Sequence, residues 1–323
     1  MATAQTSSSS SDAQASPRKR PKPGERRIQI LQALAGMLYA VIAMACFTVL
    51  DTTNKFLLAS VPMMMVLWFR YAFQAVATTA LMLPRKGRAV FQTRSLKLQI
   101  VRGLLLLTSS FLAFGSLIRM PVAEFSAIAM LSPLAVTILA RFVLKEHVSK
   151  LRWVFVSGGM VGAMLIVRPG GGMDASHAWI PLLMVLSYST FQILTSHMAK
   201  TESPETMHIY TGWVGALIST GLVFSVWTTE LTGFQWMLMV LIGCAGTLGH
   251  YLLIVAFARA PASRVTPFLY SGIAFATLTG WVVFSHIPDP VAITGMALIV
   301  LCGLGAGWLG QREHAKSVPP SHD

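Results

Sequence analysis

Charge is what this chain has little of. Only 11% of its 323 residues are Asp, Glu, Lys or Arg, and just 12 are acidic, against roughly 25% charged residues in a soluble domain. So few charges cannot clothe a water-facing globule of this length, and the 54% hydrophobic content points instead to a bilayer. Cysteine is also scarce. Cys46, Cys244 and Cys302 each sit alone in an apolar run, with no second Cys or His at ligand spacing. A disulfide framework and a zinc site are therefore not expected, and the three read as packing residues. There is no G-x-S-x-G, no H-E-x-x-H and no Walker A loop, so neither enzyme chemistry nor ATP hydrolysis is written in a motif. The glycines of Pro169-Gly170-Gly171-Gly172 have no lysine after them and no strand before them, and read as a linker. No cofactor or metal is expected.

What is present is a succession of apolar runs about 20 residues long, without strand alternation. A spanning segment must satisfy its own backbone hydrogen bonds, so the expectation is helices. We read ten, over about 31–58, 62–84, 97–118, 122–144, 151–168, 177–198, 205–228, 234–257, 262–285 and 290–310. The fold class expected is all-α, a polytopic membrane protein. Residues 1–29, rich in Ser, Pro, Lys and Arg, cannot bury a core and read as a disordered tail. Residues 30–169 and 176–310 form two five-helix units, and 311–323 a second tail.

The units look like copies. Arg119-x-Pro121 stands over Arg259-x-Pro261, Ser126 over Thr266, Ser132 over Gly272, Glu146 over His286 and Gly103 over Gly243. Five helices is an odd number, so the second copy enters the bilayer from the opposite side and the repeats are inverted, the plan of many secondary transporters. With the amino terminus inside, the inside receives the basic tail, Arg85, Lys86, Arg88, Arg94, Lys97, Lys145, Lys150, Arg152, Lys200, Arg259, Arg264, Arg312 and Lys316; the outside receives only Arg119 and Arg168. That asymmetry fixes both termini in the cytoplasm. The net charge of +13 thus reads as a topology signal, with no nucleic-acid partner implied.

These residues carry a resemblance. The five-plus-five repeat, Arg70 in the second helix, the run LSPLAVTILARFVLKEHVS from Leu131, VSGGMVGAMLIVRPG from Val156 and RAPASRVTPFLYSGIAF from Arg259 resemble the drug/metabolite transporter superfamily with two EamA-type domains. The resemblance covers about residues 30–310. It implies a bacterial inner-membrane carrier with a central cavity, of the branch containing riboflavin and S-adenosylmethionine carriers and some exporters of amino-acid-derived compounds. There are departures: the family's usual Glu at the end of helix nine is His286 here, while Glu146 keeps it in helix four, and helix nine lacks a proline like Pro133.

Charges deep in a membrane are expensive and face a cavity or a partner. Asp51 and Lys55, four residues apart, share a helix face beside Asn54; they are either a self-neutralising pair or a cluster meeting a charged group on a solute. Asp51 is also the candidate carrier of a coupling proton. Arg70 either pairs with Asp51 or recognises an anionic group. Arg102 and Arg141 fall near helix ends, where they would snorkel. Glu124 opens helix four, as a dipole-favoured carboxylate or part of an outer gate. In the second half, Gln192, His250 and Tyr270 stand out among Tyr188, Ser196, His197, Tyr210 and Ser271. The ring of Tyr270 could stack on a planar solute. The cavity set expected is Asp51, Asn54, Lys55, Arg70, Gln192, His250 and Tyr270, with Pro133 as a helix bend and Glu146 at a gate. Pro133 should break the ladder of helix four and free carbonyls. The activity expected is alternating-access transport of a small organic metabolite, riboflavin or a similar cofactor-like solute first, S-adenosylmethionine or export of an amino-acid-derived compound next. A membrane receptor or membrane-embedded enzyme is the reading outside transport.

Overall fold

The computed structural model describes residues 23–143, 149–167, 177, 179–198, 201–259, 265 and 268–317. Among them every regular element is helical. Six helices are long and apolar enough to cross a membrane: Leu34–Leu57, Met63–Phe91, Leu96–Arg119, Pro204–Val226, Gly233–Arg259 and Pro290–Leu309. Shorter apolar helices cover Val122–Val136, Trp153–Ile166, Trp179–Thr195 and Ser271–Phe284. Most of the helices bare apolar side chains outward, Leu38, Val76, Val154, Met164, Leu217, Val282 and Leu301 among them, while α4 is buried. That is the reverse of a water-soluble surface and the natural face for lipid.

Punctuation in the sequence sets the helix limits. Helix α1 (Pro23–Leu57) stops ahead of Pro62, and α2 (Met63–Lys86) begins directly after it. α2 ends at Gly87, whose φ of 60° only glycine adopts freely. α3 (Leu96–Arg119) ends at extended Met120, the residue before Pro121. α4 (Val122–Ala129) and α5 (Ser132–Val143) form one interrupted rod, followed by α6 (Lys150–Val167) and α7 (Trp179–Met198). Ser203 caps α8 (Pro204–Val223), accepting from the Thr206 N–H at 3.1 Å, with Pro204 in the first turn. Thr232 and Gln235 close a reciprocal capping box at the start of α9 (Gly233–Arg259): Thr232 Oγ1 accepts from the Gln235 N–H at 3.2 Å and Gln235 Oε1 from the Thr232 N–H at 2.8 Å. α10 (Ser271–Phe284) ends at Ser285 in the left-handed region (φ 52°), and the Asp289 carboxylate caps α11 (Pro290–Ser317).

The break between α4 and α5 has a chemical cause. Pro133 has no N–H to give to the carbonyl of Ala129, four residues back. The Ser132 hydroxyl takes that acceptor instead, at 2.6 Å. The carbonyl expected to be freed is thus satisfied locally. A similar break occurs before α10 with Ile273 in the place of Pro133. The helical turn at Phe268–Leu269 is interrupted at Tyr270, and Ser271 Oγ donates to the Phe268 carbonyl at 2.7 Å.

Helix pairing repeats itself with the halves exchanged. α1 packs along α9 as α7 packs along α3, and α2 packs on α9 as α8 packs on α3. α2 with α8, α4 with α10, and α6 with α11 each pair with their own counterpart. Apolar cores form on either side of the middle: one around Phe125, Ile128, Leu134, Ile273 and Ile299, another around Leu50, Leu67, Tyr71, Phe114 and Ile242. Between them a space is left open.

Candidate functional site

The open space is a chamber of about 130 Å³ bounded by α1, α2, α3, α4, α5, α7, α9 and α10. A single water needs roughly 10–15 Å³ by such a measure, so the chamber has room for far more than one bound water. Its walls are mainly apolar, with the rings of Phe47, Phe114 and Phe125, and polar groups enter from a few directions. The interruption between α4 and α5 brings Ser126, Ser132 and Pro133 to the wall; Leu269 and Gly272 do the same beside the break at Tyr270.

Of the residues expected from sequence, Asp51, Asn54, Arg70, Gln192 and His250 line this chamber. Asp51 and Asn54 come from one face of α1, Tyr188 and Gln192 from one face of α7. Lys55 and Tyr270 do not line it. The four-carbon stem of Lys55 carries its ammonium to the end of α3, where Nζ donates to the carbonyls of Leu117 and Met120 at 2.8 and 2.9 Å. Those carbonyls have no intrahelical donor, so a lysine there caps the helix. Tyr270 is buried, with its hydroxyl tight against Gly303 of α11 and without a hydrogen-bond partner. Pro133 lies on the chamber wall at the helix break; Glu146 lies outside the described residues.

Arg70 is held rigidly. Nη1 donates to Ser110 Oγ at 2.7 Å and Nη2 to His250 Nε2 at 3.1 Å. Nε is buried without a partner, facing Gly246 closely enough that a Cβ there would lie 3.2 Å away. Ser110 passes its own proton to the Leu106 carbonyl, so it accepts from both Arg70 and the Tyr71 hydroxyl, the latter at 2.8 Å. A guanidinium only donates. His250 Nε2 must therefore accept, which puts the imidazole hydrogen on Nδ1. Phe47 meets that ring edge-on, 4.7 Å between centroids.

Asp51 is the available charge. It makes no hydrogen bond or ion pair among the described residues, although the field of Arg70 reaches it. Asn54 is fully buried, and both its amide atoms lack partners. A primary amide left dry costs a few kcal/mol, about 1–3 on the mutational scale, unless something else meets it. The arrangement thus presents one carboxylate, one unpartnered amide, and the hydroxyl of Tyr188 and amide of Gln192 against aromatic walls. It can hold an organic solute by both polar and ring contacts.

One further expectation needs correction. Arg102 does not snorkel: it is 1% exposed and bonded into α7 and α8. Glu124 does sit in the first turn of α4, and its Oε1 lies 2.9 Å from His286 Nε2, joining the start of α4 to the second residue beyond α10. Sequence reading also missed the clamp formed by Ser110. Its only signal is a Ser109-Ser110 pair in the middle of an apolar helix, where serines commonly bond their own backbone.

The EamA-like transporter family matches twice, over residues 34–168 and 176–305. The chain belongs to that family. It is a member of the drug/metabolite transporter superfamily, an integral membrane protein with multiple spanning helices. Similar proteins include a riboflavin transporter of Rhizobium johnstonii, 27% identical over 275 residues (84% of this chain, 91% of that one). An S-adenosylmethionine uptake transporter of Rickettsia prowazekii is 22% identical (83% and 90%). A pseudopaline exporter of Pseudomonas aeruginosa is 26% identical (83% and 94%). A crystal structure with TM-score 0.62, 18% identical, covers 88% of this chain and 98% of its own; it shares the fold.

Proposed function

We propose that this EamA protein is a secondary transporter that moves a small organic metabolite across the bacterial inner membrane by alternating access. In this reading ten helices form two inverted repeats, 30–169 and 176–310, with both termini cytoplasmic. The twofold exchange of helix partners and the lopsided distribution of Lys and Arg support it. The observation that carries it is the chamber between the two halves, where Asp51 and the Asn54 amide have no hydrogen-bond partner among the described residues. A structural core would have satisfied or omitted them. Without an ATP-binding motif, the energy comes from a gradient or from exchange, and Asp51 is the group suited to carry a coupling proton.

The solute proposed is riboflavin or a similar cofactor-like compound. The imide edge of a flavin matches a free carboxamide, and its ring system matches walls of phenylalanine and tyrosine. S-adenosylmethionine is the second reading, favoured by the free Asp51 carboxylate, which suits a cationic sulfonium.

The test is uptake and counterflow of labelled riboflavin, S-adenosylmethionine and amino-acid-derived solutes in proteoliposomes, with and without a pH gradient. Asp51→Asn and Arg70→Ala should each cut transport by roughly tenfold or more, the scale of losing one charge-assisted contact, with insertion retained. Saturable counterflow by the native protein and its loss in both variants supports the proposal. Native rates in both variants, or no counterflow with any solute, overturns it.

A further inference from the structure

The cluster richest in unsatisfied polar atoms is not the chamber. It lies between α2, α3, α7 and α8, toward their basic ends. Gln74 Oε1, Thr78 Oγ1, Gln99 Oε1, Arg102 Nε and His208 Nε2 are all buried there with no hydrogen-bond partner among the described residues. At its centre is Arg102, with no carboxylate within 4.0 Å among the described residues. Its guanidinium is surrounded by neutral oxygens: Nη1 donates to Thr195 Oγ1 at 3.3 Å, and Nη2 to Thr211 Oγ1 at 2.6 Å and to the Met207 carbonyl. The Phe191 ring closes the other side, 5.3 Å from the guanidinium carbon.

Every one of those contacts crosses from one family-matched half to the other. Arg102 lies in 34–168; Phe191, Thr195, Met207 and Thr211 lie in 176–305. If the only task were to hold the halves together, an apolar side chain would do it better, because a dry, unpaired cation carries a desolvation penalty that neutral acceptors offset only in part. The chain itself supplies the comparison. In the register that puts Gly103 over Gly243, Arg102 stands over Ile242, which is 0% exposed in the core facing α1 and α2. One end of the assembly is closed by isoleucine, the other by arginine.

A penalty carried in one state and removed in another shifts the balance between them. We propose that Arg102 is the latch of the cytoplasmic leg of the solute path. It bonds the halves together in the state seen here, and water reaches it, with Gln74, Gln99 and His208, when the carrier faces inward. This rests on the carrier reading above. The arginine makes the closed inner end polar enough to reopen; an apolar residue would seal it.

The sign of that claim can be read out. Arg102→Leu should raise thermal stability in detergent while lowering counterflow turnover by roughly tenfold, KM remaining within about twofold, since what changes is the balance of states and not the chamber. In full-length protein with Cys46, Cys244 and Cys302 replaced by alanine, Thr78→Cys or Gln99→Cys should react with an impermeant maleimide from the cytoplasmic face of inside-out vesicles. Adding Arg102→Leu should abolish that labelling. Native turnover in Arg102→Leu, or no labelling at either cysteine while Arg102 is present, overturns the latch. If Arg102→Leu fails to accumulate, Arg102→Met and the labelling of the Arg102-containing protein decide it. Labelling is independent of solute, so Arg102-dependent labelling in a protein that shows no counterflow would overturn transport as its function while still showing that Arg102 controls the opening of this seam to water, whereas counterflow without Arg102-dependent labelling would overturn the latch alone.

Discussion

The pairing of α6 with α11 makes a stringent test of whether the glycines of this bundle serve packing or bending. The two helices touch backbone to backbone. A Cβ on Gly162 would lie 2.7 Å from the Gly295 carbonyl oxygen and 2.9 Å from Ile299 Cγ1. A Cβ on Gly295 would lie 2.6 Å from the Gly162 carbonyl oxygen and 2.9 Å from Ile166 Cγ1. Carbon and oxygen rest at about 3.3 Å or more, so either alanine must drive the helices apart by about half an ångström, and a carbonyl cannot swing aside as a side chain can. Overpacking of this kind costs about 1–3 kcal/mol. Alanine's better helix propensity returns about 1 kcal/mol, leaving a net loss of up to about 2 kcal/mol for Gly162→Ala or Gly295→Ala, at the upper end because the atom met is a fixed backbone carbonyl. The double variant should lose less than the sum, because one separation accommodates both methyls. Gly307 on the same helix has nothing within 4 Å of its would-be Cβ, so Gly307→Ala should be neutral or slightly stabilising. The assay is thermal unfolding of purified protein in detergent, with counterflow alongside. If Gly162→Ala unfolds like the native protein yet transports poorly, the glycine is a hinge and the packing argument fails.

His250→Gln should keep roughly tenfold more transport than His250→Leu, because a glutamine carbonyl can still accept from Arg70 Nη2 whereas leucine strands that donor in the wall; equal loss in counterflow would mean that the imidazole is needed for more than accepting one bond. Lys55→Met should lower thermal stability by about 1–2 kcal/mol through the uncapped carbonyls of Leu117 and Met120 and leave KM unchanged; a large rise in KM would return Lys55 to the solute site.

Much of the fold was legible because a bilayer leaves few options: long apolar runs become helices, and Pro62, Pro121, Gly87 and Ser203 mark their limits where the dihedral and capping rules place them. Asp51 and Arg70 were legible for the same reason, since a charge within an apolar run stands out. What a helical wheel does not contain is the reach of a side chain. Lys55 shares a face with Asp51, yet its stem ends on another helix. Arg102, near a helix terminus, looks like a residue that reaches for water, and only the approach of α7 and α8 shows that there is none to reach. Tyr270 has the chemistry of a solute platform, but the break beside it turns its ring toward α11. Each of these errors concerns rotation about a helix axis or the position of a neighbour, which the residue's own sequence context does not encode.

The two interrupted rods also differ in what they can do next. Between α4 and α5 the interruption is permanent: Pro133 has no hydrogen to return to the Ala129 carbonyl, and Ser132 occupies that acceptor in its place. At the break before α10 the donors are present. Gly272 retains its N–H, and among the described residues the Phe268 carbonyl accepts from the Ser271 hydroxyl, a bond the main chain can displace; Ile273 N–H is bonded to the Tyr270 carbonyl at 3.1 Å instead of one residue further back. A short shift would restore the regular ladder there. The register-equivalent breaks are thus unequal in kind, one fixed by covalent chemistry and one held by a hydroxyl. Polar contacts elsewhere in the bundle are unequal too: Glu124 meets His286 beyond α10, and Arg102 bonds α3 to α7 and α8. In the carrier proposed above, the two states would share an architecture but differ in chemistry, and a free-energy difference between them would be built into the side chains and need not be imposed by the solute.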